Sequence, residues 1–296
     1  MFANVDGFRL FYRSFEPDRP GPVILGLHGG PGATHDYLLP LGDLAQHGFR
    51  VFLYDALGCG RSEPTEDRSL FTLEGDVRRL EKLREALGIE RFHVIGSSYG
   101  GLLALAYAVA HQDRLLSVVT TGGLANVPLA TREMDRLKHE LPAPVLQTLL
   151  QHEAKGEFQH PEYLKAVDVF YHKHVCRLDP WPEPVRYSLE HISVPVYHTM
   201  NGPNEFTIVG NIKDIDLTPR LGEIKLPLLV TTGRYDEVTP RVGQAIVDEV
   251  PGSRLWVLPE SSHLGFWEER TTYLDGVRRF LQGVEPSGHP GGKVPA

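Results

Sequence analysis

The chain has 296 residues, 41% hydrophobic and 23% charged, the make-up of a globular protein that can bury a sizeable core. A net charge of −8, a pI near 6.0 and the absence of any basic run argue against nucleic acid or an anionic membrane surface as partner. Two cysteines, Cys59 and Cys176, make neither a disulfide framework nor a C-x-x-C, so disulfides and structural zinc are not expected.

Residues 1–7 carry no basic or apolar leader pattern, and no stretch approaches transmembrane length, so the cytoplasm is the expected compartment. A strand is predicted over 8–15, and an apolar strand over 22–27 that ends in His28-Gly29-Gly30-Pro31-Gly32. A short helix over 37–46 and a strand over 50–55 follow. An amphipathic helix spans 72–87, stopped by Gly88. Next come a strand over 91–95, a Leu/Ala-rich helix over 102–110 and a strand over 115–121. This alternation predicts an α/β domain with a largely parallel sheet flanked by helices.

The alternation stops at about Asn126 and resumes after about Asp216. The block between is helical in pattern, rich in histidine, and holds the cluster Asp179-Pro180-Trp181-Pro182-Glu183-Pro184. It reads as an inserted cap over the carboxyl ends of the strands. Strands are predicted over 226–232 and 253–258 with a helix near 243–250 between them, and a closing helix over 266–281. The predicted organisation is therefore a core of 1–125 and 217–284, a helical cap of 126–216, and a Pro/Gly-rich, disordered tail of 285–296.

Between the strand over 91–95 and the helix that follows lies Gly96-Ser97-Ser98-Tyr99-Gly100. In that context G-x-S-x-G forces its central serine into a tight turn that only flanking glycines leave room for. Ser98 is thereby the candidate nucleophile, at the start of a helix whose dipole favours developing negative charge. A serine hydroxyl needs a base, and the base an orienting acid, in the chain order Ser, acid, His for this elbow. The strand over 226–232 runs into Gly233-Arg234-Tyr235-Asp236-Glu237, and that over 253–258 into Pro259-Glu260-Ser261-Ser262-His263. His263 is the expected base. Asp236 is favoured over Glu237 and Glu260 because it is the first acid past its strand.

Acyl transfer also needs donors for an oxyanion. The N–H of Tyr99 is one candidate; the other comes from the early glycine loop, where Pro31 has none, and Gly30 is the choice. The stretch Asp55 to Ser62 has glycines in a phosphate-loop manner but lacks Lys-Ser/Thr, so it reads as a structural turn. His172, His174, His191 and His198 lack carboxylates at a ligand spacing, and no metal is expected on them. Tyr171, Trp181, Tyr197 and Phe206 could line a specificity pocket or equally pack the cap.

Together with Met200-Asn201-Gly202-Pro203-Asn204-Glu205-Phe206, the glycine loop, the elbow and the acid motif resemble the proline iminopeptidase family of capped α/β-hydrolases. The likeness is strongest to the branch containing the tricorn-interacting aminopeptidase, and it runs from Phe8 to about Leu281. It implies a serine exopeptidase that releases an N-terminal residue, often proline, from short peptides through an acyl-enzyme. It implies Ser98, Asp236 and His263 as triad, Gly30 and Tyr99 as oxyanion hole, and Glu205 and Glu237 as holders of the substrate's free amino group. Two carboxylates would exclude N-blocked substrates by being left unpaired. No metal or organic cofactor is implied. Ala56 departs from the family, whose members more often carry glutamine after the aspartate. An amino-acid amide hydrolase would use the same site and differ only in leaving-group room. An esterase or lactonase would have no use for Glu205 and Glu237, position 98 is not an aspartate, and an intact set disfavours a non-catalytic receptor.

Overall fold

The computed structural model describes residues 1–18 and 21–284; the tail of 285–296, expected to be disordered, lies outside the described residues. Eight strands form one sheet in the order β1-β2-β4-β3-β5-β6-β7-β8. They are β1 (Phe2–Val5), β2 (Phe8–Phe15), β3 (Val23–Leu27), β4 (Arg50–Tyr54), β5 (Phe92–Ser97), β6 (Leu115–Thr121), β7 (Leu228–Gly233) and β8 (Arg254–Leu258). β2 runs antiparallel to β1 and β4, and the six strands from β4 to β8 are mutually parallel. β1 is an addition to the sequence reading: its four residues are too short a run to show a period.

The central strands bury both faces, so they read as apolar runs. Val23, Leu25 and Leu27 of β3 join one core, and Ile24 joins the other. On the first face lie α1 (Leu73–Ala86), α2 (Tyr99–His111) and, later in the chain, the helix Pro240–Glu249. Thr72 caps α1, its Oγ1 accepting the Gly75 amide at 3.0 Å. The second face is covered by a 3-10 segment, His35–His47, and by the last helix, Arg270–Val284. The short helix expected over 37–46 is of the 3-10 kind; Pro40 within it cannot donate to an α-helical ladder. The closing helix is likewise broken, into Gly265–Glu268 and Arg270–Val284.

Between β6 and β7 the chain makes α3 (Val127–His139), α4 (Ala143–Glu153), α5 (Pro161–His174), α6 (Glu183–Glu190) and α7 (Val194–Met200). Its two ends meet where it leaves and rejoins the core. Asn126 and Asp216 form an isolated bridge, flanked by Val127 N–H to Ile215 O at 2.9 Å and Leu217 N–H to Ala125 O at 2.8 Å. After them come α8 (Thr218–Leu221), α9 (Pro240–Glu249), α10 (Gly265–Glu268) and α11 (Arg270–Val284). Among the described residues no helix is long and apolar enough to cross a membrane.

Candidate active site

Chain connectivity reverses direction between β3 and β5, which pair side by side with Leu27 opposite Gly96. Open α/β sheets leave a crevice at such a switch point, beyond the carboxyl ends of the strands. The glycine loop after β3 and the elbow after β5 are therefore neighbours by topology.

Ser98 holds φ +57° and ψ −123°, a conformation costly for a residue with a side chain. The turn closes only because its flanks have none: a Cβ on Gly96 would collide with the Gly100 carbonyl oxygen, and one on Gly100 with that of Leu27. α2 starts immediately at Tyr99, three residues before the predicted start. As the first residue of α2, Tyr99 has an N–H with no intrahelical acceptor. Its side chain is anchored from α1, the hydroxyl donating to Asp76 Oδ2 at 2.7 Å while Arg79 holds Asp76 Oδ1 at 2.7 Å. Asp76 had no motif to reveal it.

Gly30 has φ +108°. Its loop is held on one side by the Tyr37 hydroxyl, which accepts the Gly29 amide at 2.6 Å, and on the other by the Ser193 amide donating to Gly32 O at 2.8 Å. The Asp55 to Ser62 turn is structural, as expected: Asp55 accepts the amides of His35 and Arg61 at 2.7 and 2.9 Å.

Asp236 lies past β7 and His263 past β8, and they meet across 2.6 Å, Oδ1 to Nδ1. Asp236 also accepts the Val238 amide at 2.8 Å and the Thr232 hydroxyl at 3.1 Å. This leaves Glu260 exposed and puts Glu237 on the other side of the ring, its Oε1 4.0 Å from His263 Nε2. Burial works against protonating His263, but Asp236, then Glu237 and Glu205, outweigh it and push the imidazole up to about 10.

Gly30, Ser98, Glu205, Glu237 and His263 line one cleft. Its walls are otherwise mostly apolar, with Val175, Val185, Leu189, Ile192 and Leu264 foremost. A second, smaller lobe shares Gly30, Ser98 and Glu205 and is closed by Leu102, Leu124, Met134, Ile208 and Ile212. Burial raises Glu205, partly offset by the Tyr197 hydroxyl at 2.7 Å from Oε1. It raises Glu237 well above the carboxylate range, with the neighbouring Glu205 adding to the effect. Glu237 Oε2 is buried with no protein hydrogen-bond partner. Two carboxylates thus converge where a cation would relieve both.

The cap aromatics do not form the walls of these lobes. Phe206 packs on Phe170 with ring centroids 4.9 Å apart, and Trp181 stacks on His172 and donates to Cys176 O at 2.8 Å. Aliphatic residues of the cap line the cleft instead, and no local pattern distinguishes those from ordinary helix core.

The alpha/beta hydrolase fold model matches residues 22–270. The proline iminopeptidase of Saccharolobus solfataricus is 42% identical over 96% of this chain and 92% of its own. Among solved structures, VinJ superposes with a TM-score of 0.92 at 34% identity, covering 96% of this chain and 98% of that one. The proline iminopeptidase of Mycobacterium smegmatis does so with a TM-score of 0.90 at 34% identity, with the same coverage. The chain belongs to the proline iminopeptidase family of α/β-hydrolases.

In this family member the inserted helices and the site residues are joined by main-chain bonds that no local sequence pattern reveals. The carbonyl of His174, last residue of α5, accepts the amides of both Glu237 and His263 at 3.2 Å. Its Nδ1 lies 2.8 Å from Tyr235 O, which makes that nitrogen the donor. Glu268 accepts the amide of Arg177 from the cap at 2.7 Å, and the amide and hydroxyl of Ser262 at 2.7 and 2.8 Å. The loop carrying the expected base is thus fastened to the inserted segment from two directions, at His174 and at Arg177.

Proposed function

We propose that this protein is a serine aminopeptidase that releases N-terminal residues, proline favoured, from short peptides. The observation that carries the reading is the pair of carboxylates, half-buried Glu205 and buried Glu237, lining the cleft that holds Ser98 and His263. A substrate ammonium set between them supplies the donors that Glu237 Oε2 lacks and neutralises charge that burial makes costly. N-acylated substrates bring no cation and leave the pair unsatisfied. An ester or lactone substrate would gain nothing from these two groups.

With the amino group so held, the first carbonyl lies over Ser98. His263 Nε2 takes the Ser98 proton as Oγ bonds to the carbonyl carbon, and Asp236 stabilises the imidazolium. The oxyanion is received by the N–H groups of Tyr99 and Gly30. Collapse breaks the C–N bond, and His263 passes its proton to the leaving amine. Water, deprotonated by His263, then cleaves the acyl-enzyme and regenerates Ser98. Each step moves a proton or an electron pair between groups of the chain, substrate and water, so it calls on no metal or cofactor. Residues 126–216 act as the cap that closes over the first side chain, and the apolar walls Val185, Leu189 and Ile192 receive its ring. Access beneath the cap suits short peptides. The free, buried Cys59 and Cys176 suit a reducing compartment, and we place the enzyme in the cytoplasm.

The test is a set of initial rates on prolyl-β-naphthylamide and its N-acetylated twin, with Ser98→Ala as blank. Cleavage of the free-amine substrate alone, abolished in Ser98→Ala, is the expected result. Equal cleavage of both would make the site a general amidase or esterase. Prolyl dipeptides against prolinamide then measure the preference for a peptide over a simple amide.

A further inference from the structure

Away from the cleft, the turn between α4 and α5 gathers three side chains that the reaction does not use. His152 lies in the last turn of α4, His160 is the N-cap of α5, and Glu162 stands in the first turn of α5. One ligand-capable atom from each lies within 4.8 Å of the others. We propose that His152, His160 and Glu162 form a site for a divalent transition-metal ion, zinc being the best fit.

His152 is the built part of the site. It is buried, and its Nδ1 lies 2.7 Å from Glu157 Oε2. A carboxylate there keeps the proton on Nδ1 and leaves the Nε2 lone pair free, the arrangement by which metal-binding imidazoles are oriented and made more basic. That Nε2 faces Glu162 Oε2 at 3.7 Å. The ring of His160 stacks on His152 with centroids 4.3 Å apart and planes 21° from parallel. Its Nδ1 accepts the Glu162 amide at 3.3 Å, which keeps ring and carboxylate at the same end of α5. An ion would take that Nδ1 lone pair in place of the amide, or bind Nε2 after the ring proton moves to Nδ1.

Two imidazoles and one carboxylate suit zinc, cobalt or nickel; magnesium and calcium prefer an all-oxygen set. His160 and Glu162 are exposed and need only side-chain adjustment to close on an ion held by His152. His160 also opens on a surface groove lined by Glu157, Phe158, His198 and Val209, where water can complete a tetrahedral shell. The ion would join the end of α4 to the start of α5 across the 154–160 turn, with its effect on cap stability and none on the chemistry at Ser98.

The experiment uses the full chain, stripped with EDTA and titrated with Zn²⁺ by calorimetry and with Co²⁺ by visible absorption. One equivalent should bind saturably, raise the melting temperature and give the ligand-field bands of low-coordinate cobalt. His160→Ala and Glu162→Gln, both at exposed positions, should each weaken binding by tenfold or more. Glu157→Gln should weaken it by about 10–100-fold through His152. Absence of saturable binding up to millimolar zinc would overturn the proposal. So would a single site whose affinity is unchanged in His160→Ala and Glu162→Gln, because the ion would then sit elsewhere.

Discussion

Nε2 of His263, the proposed base, stands 4.0 Å from Oε1 of the buried Glu237. Asp236 above all, then that carboxylate and Glu205, hold the imidazole protonated, up to about 10. A substrate ammonium docked on Glu237 and Glu205, as proposed, would compete for their charge and lower the proton affinity of His263. On the proposed reading, docking of the amine would free the base, and the proton equilibria belong to the cluster as a whole.

Removing one charge should separate the two effects. Glu237→Gln takes a negative neighbour from His263, so its imidazole deprotonates more readily. The acid limb of kcat/KM against pH should move to lower pH. The free-amine substrate should lose about 10²-fold in kcat/KM, the scale of one buried charge pair, and the N-acetyl substrate should lose far less. An unmoved acid limb would show that Glu237 does not sense the base.

Gly122, at the end of β6 with φ +52°, makes room for the His263–Asp236 pair. A Cβ there would lie 2.5 Å from His263 Nδ1 and 2.9 Å from Asp236 Oδ2. Gly122→Ala should displace the ring and lower kcat by about 10²-fold, with KM little changed. Steady-state rates beside a thermal melt check it, since a misplaced base should cost more in rate than in melting temperature.

Glu268 bonds at once to the amide of Arg177 and to that of Ser262, the neighbour of His263. Glu268→Ala strands the amides of Arg177 and Ser262 and should cost about 2 kcal/mol, or about 5 °C in melting temperature. It should also lower kcat. Glu268→Gln keeps one acceptor oxygen and should recover much of both. A full loss in the glutamine variant would mean that charge matters there more than position.

His93, buried on β5 and bonded through Nδ1 to Ser117 Oγ at 2.8 Å, is lowered to about 4 by burial and by the nearby Arg91. Its folded value lies below the unfolded 6.5, so between these pH values the unfolded chain binds the extra proton. Stability from neutral His93 is complete above pH 6.5 and is lost as pH falls toward 4, at up to about 1.4 kcal/mol per pH unit. Denaturant melts across that window should flatten in His93→Gln relative to the parent.

The residues that make the elbow were legible in the sequence because their constraint is local. A serine in a strained turn needs its glycines within two positions, and a buried strand needs only its own run of Val, Ile and Leu. The α/β alternation and the order Ser98, Asp236, His263 followed from the same short-range patterns. What lay between was not legible. Whether Asp236, Glu237 or Glu260 reached His263 depended on how two loops from different strands cross. Whether Tyr171, Trp181, Tyr197 and Phe206 faced the cleft depended on how five cap helices seat on one another. The aliphatic walls, the Asp76 anchor under Tyr99 and the His174 carbonyl shared by Glu237 and His263 join residues tens of positions apart. By itself the sequence determined which groups the chain can bring to chemistry, because backbone sterics and side-chain identity are local. Only the tertiary structure decided which of them meet and which are desolvated, because distance and burial are properties of the packed whole.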